Sequence, residues 1–159
     1  MGMKKIIGLS FSVLFIGALF VIATHTDAFA QKGIKWRGGG GWEEGSKYTK
    51  MFDANVIETV KGEITEVLLV TPLKGMVPGV GMVLKTNEGV MQVQLGPLWY
   101  MERQRMKIEP GQKVEVMGSK VTIDGTSVIM AIEVKKDKHV LRLREKEGWP
   151  AWSGWRLQY

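Results

Sequence analysis

From Val56 to Arg144 the chain alternates between apolar and polar positions with a period close to two, the signature of half-buried β-strands. Val56, Val60 and Ile64 share one parity and Val67 and Leu69 the other, with Gly62 where the pattern falters. A change of parity within one run predicts a long first strand with a bulge or bend. Two prolines and two glycines between Thr71 and Gly79 predict a loop. Val80, Met82 and Leu84 mark a second strand, Asn87-Glu88-Gly89 a hairpin, and Met91, Val93 and Leu95 a third strand with Gln92 and Gln94 outward. Val114 to Ile123 forms a fourth strand bent at Gly118-Ser119, and Asp124-Gly125 is a two-residue hairpin signal. Thr126 to Val134 is a fifth strand, apolar on both parities at Val128–Ile132 and therefore expected to be covered on both faces. Val140–Arg144 reads as a sixth, peripheral strand with Arg142 and Arg144 outward.

One stretch breaks the β pattern. Leu95–Gln104 reads as a helix opened by Pro97, whose φ is already helical and whose missing N–H is not needed in the first turn. Leu98, Met101 and Arg105 would share a face, with Trp99 beside them. Three strands, a helix and two strands is the order of the OB-fold, a small five-stranded Greek-key barrel plugged by the helix between strands three and four. The predicted class is therefore mainly β, an OB-fold barrel with a C-terminal extension. Thr59-Val60-Lys61-Gly62-Glu63-Ile64, the helix, Ile108–Val116 and the Asp124-Gly125 hairpin resemble bacterial exported OB-fold proteins of the stress-associated periplasmic (BOF) type. That resemblance spans Val56 to about Lys135. The Trp/Gly-rich arm, the Gly96–Tyr100 entry to the helix and the Trp-rich tail depart from it.

The N-terminus addresses the compartment. Lys4 and Lys5 precede an apolar run from Ile6 to Ala23, and Ala28-Phe29-Ala30 supplies a small-x-small end, the parts of a secretory signal cleaved near Ala30. The run is long enough to span a membrane if retained, so a membrane anchor is the alternative. Either way the remainder is expected outside the cytoplasm, periplasmic or secreted. The expected organisation is a signal peptide (1–30), a Gly/Trp-rich arm (31–54), the barrel (55–137), and a peripheral strand with a Trp-rich tail (138–159).

Composition narrows the chemistry. The 159 residues carry no cysteine, which excludes disulfides, thiolate metal sites and covalently attached c-type haem. A formal charge of +6 suits nucleic acid, anionic lipid or an acidic partner without choosing among them. Glu43 and Glu44 lie in the arm rather than on a rigid element, and His139 is the one histidine after Ala30, so no catalytic or metal set assembles. The expectation is a protein that is not an enzyme and carries no cofactor or metal. Methionines at strand positions such as Met82, Met91 and Met130 read as core filler rather than soft-metal ligands.

Binding candidates fall into two groups. Trp36, Trp42, Trp149, Trp152, Trp155 and Arg156 form a partner-binding set, because tryptophan is a favoured interface anchor. The competing reading is that these rings fold back onto the barrel, since indole area is costly to leave wet. Trp99, Tyr100 and Arg103 form a barrel-mouth set for a small ligand or cation. The leading functional expectation is an exported interaction module that engages a protein partner, as an accessory component of an assembly such as a redox complex. A small-ligand or cation binder comes second, and single-stranded nucleic acid last, because Glu102, Glu109, Glu145 and Glu147 interleave with the basic residues.

Overall fold

The computed structural model describes residues 39–154. The signal-peptide reading therefore lies outside the described residues, as do Trp36, Trp155 and Arg156. Six strands follow in order: β1 (Ile57–Val70), β2 (Gly79–Thr86), β3 (Gly89–Pro97), β4 (Lys113–Ile123), β5 (Thr126–Lys136) and β6 (His139–Arg142), with one helix, α1 (Leu98–Met101), after β3. The sheet runs β3-β2-β1-β4-β5-β6, and a short parallel pairing of β3 with β5 at Gln92–Gln94 and Val128–Met130 closes five strands into a near-barrel ring. This is the mainly β, OB-type arrangement that the order of elements predicts.

β1 pairs with β4 through its first half and with β2 through its second, meeting both at Gly62 and Glu63. The parity change is a bulge between Ile64 and Glu66, just past the glycine. In the β4–β5 pairing the register shifts between Met117 and Gly118, where the extra residue is Ile132 of β5, and β4 runs on uninterrupted. The β4–β5 hairpin turns on Asp124 (φ 49°) and Gly125 (φ 78°), two consecutive positive φ values that a two-residue turn of this hand demands. Inside the ring lie Ile64, Met82, Leu84, Val93, Leu95, Val116, Ile129 and Val134, all at most 1% exposed. β5 is buried on both parities from Val128 to Ile132, because residues outside the ring cover its other face.

Three expectations change. The helix is a single turn: β3 runs on through Pro97, which occupies the cap in an extended conformation (ψ 143°), and tight turns follow Met101. Arg105 therefore lies outside it, and the buried members are Tyr100 and Met101. Gln94 points away from the barrel core yet is buried, because Tyr48 donates a hydrogen bond to its Oε1 (2.8 Å). Arg144, expected outward, is 3% exposed. β6 ends at Arg142, after which the amides of Leu143 and Arg144 both reach the Ile132 carbonyl, and this irregularity breaks the alternation that predicted an outward Arg144.

Candidate functional site

Two surfaces outside the barrel core concentrate polar and aromatic chemistry. The first is a layer built by both termini of the described chain. Trp42 and Tyr48 come from the arm, Tyr100 from α1, and Arg144 and Trp152 from the segment after β6. The rings meet edge-on: Trp42 with Tyr48 at 4.8 Å, Trp42 with Trp152 at 6.3 Å, and Trp99 with Tyr100 at 6.2 Å. Tyr100 and Trp152 tilt together at 5.4 Å.

Two glycines make the space. A side chain at Gly79 of β2 would collide with the Trp42 ring, and a Cβ at Gly96 of β3 would stand 2.7 Å from Cζ3 of Trp152. The indole N–H groups are spent inside the molecule. Trp42 donates to the Val77 carbonyl and Trp152 to the Trp42 carbonyl, each at 2.8 Å.

Arg144 ties this layer together. Its guanidinium donates through Nη1 to the carbonyls of Leu95 (3.1 Å) and Ala131 (2.6 Å), and through Nη2 to the Tyr48 hydroxyl (3.4 Å). Its Cζ lies 5.0 Å from the Trp152 ring centroid and 5.9 Å from that of Tyr48. Carbonyl lone pairs and ring faces stand in for a carboxylate here, which is how a buried cation avoids the full cost of desolvation. Burial pushes the Arg144 pKa down, with Tyr48 opposing the shift. Burial pushes the Tyr48 hydroxyl up to about 12 despite the nearby guanidinium, and raises Tyr100 as well.

The arm is fastened at its far end too. Ser119, fully buried on β4, accepts from the Asp53 amide (3.1 Å) and donates to the Asp53 carbonyl (2.8 Å). Trp42 and Trp152 are thus interior residues, a correction to their expected place in a partner-facing set. They are buried because two indoles fit the space that two glycines vacate. Trp149, 52% exposed, stays at the surface. In the barrel-mouth set, Tyr100 is buried against Trp152 and Trp99 is half-buried, while the exposed Arg103 turns back to the Trp99 carbonyl. The tyrosine is therefore not free to line a mouth. The Trp99 indole N–H is buried without an acceptor among the described residues.

The second surface is an open groove of about 610 Å³ at the other side of β1, lined by Lys61, Glu63, Lys85, Lys113, Glu115 and Lys135. Glu115 bridges Lys61 (3.1 Å) and Lys135 (3.6 Å), and Lys135 also meets Glu133 (3.0 Å). The hydrogen bond from Lys61 holds the Glu115 carboxyl below its ordinary pKa, and Glu133 raises that of Lys135. Among the described residues, no group of three or more His, Cys, Asp or Glu side chains is placed to hold a metal ion, and no helix is long and apolar enough to cross a membrane. The groove was not legible as a site in the sequence, since its seven charged residues come from four strands and the turn after β5.

The model of the MamS/MamX magnetosome protein family matches residues 56–141, which is β1 through nearly all of β6 and just over half of the chain. The chain belongs to that family. No curated protein matches it. Membership corrects the resemblance to exported stress-associated OB-fold proteins. The segments that carried it, Thr59–Ile64, Ile108–Val116 and Asp124-Gly125, form the bent strand, turn and hairpin that a small barrel of this topology needs whatever its family.

Proposed function

Taking membership of the magnetosome family as the premise, we propose that this chain is a non-catalytic OB-type binding module, an accessory component of an exported protein assembly. A redox complex is one assembly of that kind. The observation that carries the proposal is the position of Trp42 and Trp152. OB-folds commonly use the face of strands two and three for ligands. Here the part of that ribbon next to α1 is filled by the chain's own indoles, seated on Gly79 and Gly96. A barrel whose usual ligand platform is sealed by its own termini is suited to present its remaining surface to another protein. Export rests on the Lys4–Ala30 pattern, with cleavage near Ala30 leaving a periplasmic or secreted module and retention of Ile6–Ala23 leaving a tethered one. N-terminal sequencing of the isolated protein distinguishes the two.

Affinity capture of the full chain from the native extracytoplasmic and membrane fractions is the test. A stoichiometric protein partner is the expected result. A second reading, a small ligand at the barrel mouth, draws on the Trp99 indole N–H, which has no acceptor among the described residues. A donor favours a ligand with an acceptor atom and disfavours a cation. Absence of any stoichiometric partner together with a thermal shift induced by a small molecule would favour that reading. Salt-sensitive binding of single-stranded nucleic acid at physiological ionic strength would revive the third.

A further inference from the structure

The groove beside β1 is organised by strand register. Lys85 of β2 stands opposite Glu63 of β1, and Glu63 stands opposite Lys113 of β4. Two residues away, Lys61 of β1 faces Glu115 of β4, which faces Lys135 of β5. Because side chains two apart on a strand share a face, all six project to the same side of the sheet, in two rows about 7 Å apart. Each row reads cation, anion, cation, with one carboxylate between two ammonium groups.

The rows are not in the same state. In the Lys61–Glu115–Lys135 row both lysines reach the carboxylate, at 3.1 and 3.6 Å. Such cross-strand pairs stabilise a sheet, and that row needs no other explanation. In the Lys85–Glu63–Lys113 row neither lysine is ion-paired among the described residues, although both stand opposite the same glutamate. Ion pairs occupy the cations of the first row and leave those of the second available to a ligand. The open row leaves two exposed ammonium groups about two strand spacings apart, roughly 10 Å, on the wall of a groove.

We propose that this groove receives an extended acidic segment of a protein partner, whose carboxylates pair with Lys85 and Lys113. This assignment rests on the interaction-module reading above and adds to it the surface and the chemistry of the partner. Carboxylates at alternate positions of an extended peptide lie about 7 Å apart, within reach of two flexible lysine stems. Nucleic acid fits the groove poorly. Glu63, Glu115 and Asp137 line it and would face a phosphate on every nucleotide, and it contains no aromatic ring on which a base could stack. A peptide can alternate its own charges to match both signs.

The test is fluorescence anisotropy of a labelled peptide with glutamate at alternate positions and glutamine between them, titrated with the full chain as isolated from cells. Wild type should bind saturably and more weakly as salt rises. The double substitution Lys85→Gln with Lys113→Gln should weaken binding by about tenfold, through loss of two charge-assisted contacts. The pair Lys47→Gln with Lys50→Gln, on the exposed arm, should bind like wild type. Thermal melting of each variant verifies that it is folded. No binding by wild type, an equal loss in both double variants, or tighter binding of a single-stranded oligonucleotide of matched charge would overturn the assignment. Undiminished capture of the native partner by the Lys85/Lys113 variant would overturn the groove while leaving the module reading intact. Failure of wild type to capture any partner would remove both.

Discussion

Replacing Trp152 by alanine is expected to cost about 4–5 kcal/mol of folding stability, close to the upper end for a core tryptophan. The ring is 3% exposed and packs on Gly96, Trp42, Tyr100 and the Arg144 guanidinium. Truncating a buried tryptophan costs roughly 3–5 kcal/mol when its surroundings relax only partly. Two further losses push the figure upward: the hydrogen bond from its Nε1 to the Trp42 carbonyl, and the ring face that helps offset a buried cation. Trp149 supplies the comparison. It stands three residues earlier in the same tail, is 52% exposed, and should cost under about 1 kcal/mol when truncated. Urea unfolding followed by far-ultraviolet circular dichroism, which does not depend on the deleted fluorophore, measures both. For a unit of this size the Trp152→Ala loss corresponds to a fall in Tm of about 15 °C, with an unchanged m-value. If Trp152→Ala falls within 1 kcal/mol of wild type, or Trp149→Ala costs as much, the account of the tail as a structural seal is wrong.

Three other perturbations probe the same layer. Gly96→Ala places a methyl 2.7 Å from the Trp152 ring and should destabilise by about 1–3 kcal/mol, and a much smaller cost of the same substitution in a Trp152→Leu background would identify the clash as the cause. Ser119→Ala removes both hydrogen bonds to the Asp53 backbone at a fully buried site, so equilibrium unfolding should register a loss of about 1–3 kcal/mol. Alkaline titration probes Tyr48. Its folded pKa is raised to about 12 from 10.0, so the unfolded chain releases the proton first and stability falls as pH climbs from about 10 towards 12. The linked loss is about 2 kcal/mol by pH 12. Tyr48→Phe should flatten that part of the pH–stability curve, and an unchanged slope would show that another group is responsible.

Much of the barrel could be read before any coordinates. Alternation placed the five ring strands, the parity change in β1 announced a bulge, and Asp124-Gly125 marked a hairpin, because these features are set by neighbours in sequence. The helix was legible as an interruption but not in its length. Whether β3 stops at Leu95 or continues to Pro97 depends on β2 being there to pair with it. Arg144 shows the limit most plainly. An arginine next to alternating residues reads as outward, and only the double hydrogen bond at the Ile132 carbonyl turns it inward beneath Trp152.

What the sequence by itself determined was a β-rich chain of OB-type order, free of cysteine chemistry, carrying tryptophans that had either to bury or to bind. Only the tertiary structure decided between those two fates for Trp42 and Trp152, because the glycines that admit them lie on other strands. The lysine rows needed it even more. Lys85, Glu63 and Lys113 are dispersed in the chain and become neighbours when β1 pairs with β2 on one side and β4 on the other. Local pattern specifies the elements, while long-range register specifies which charges and rings meet, and in this protein the candidate chemistry lies almost wholly in the second.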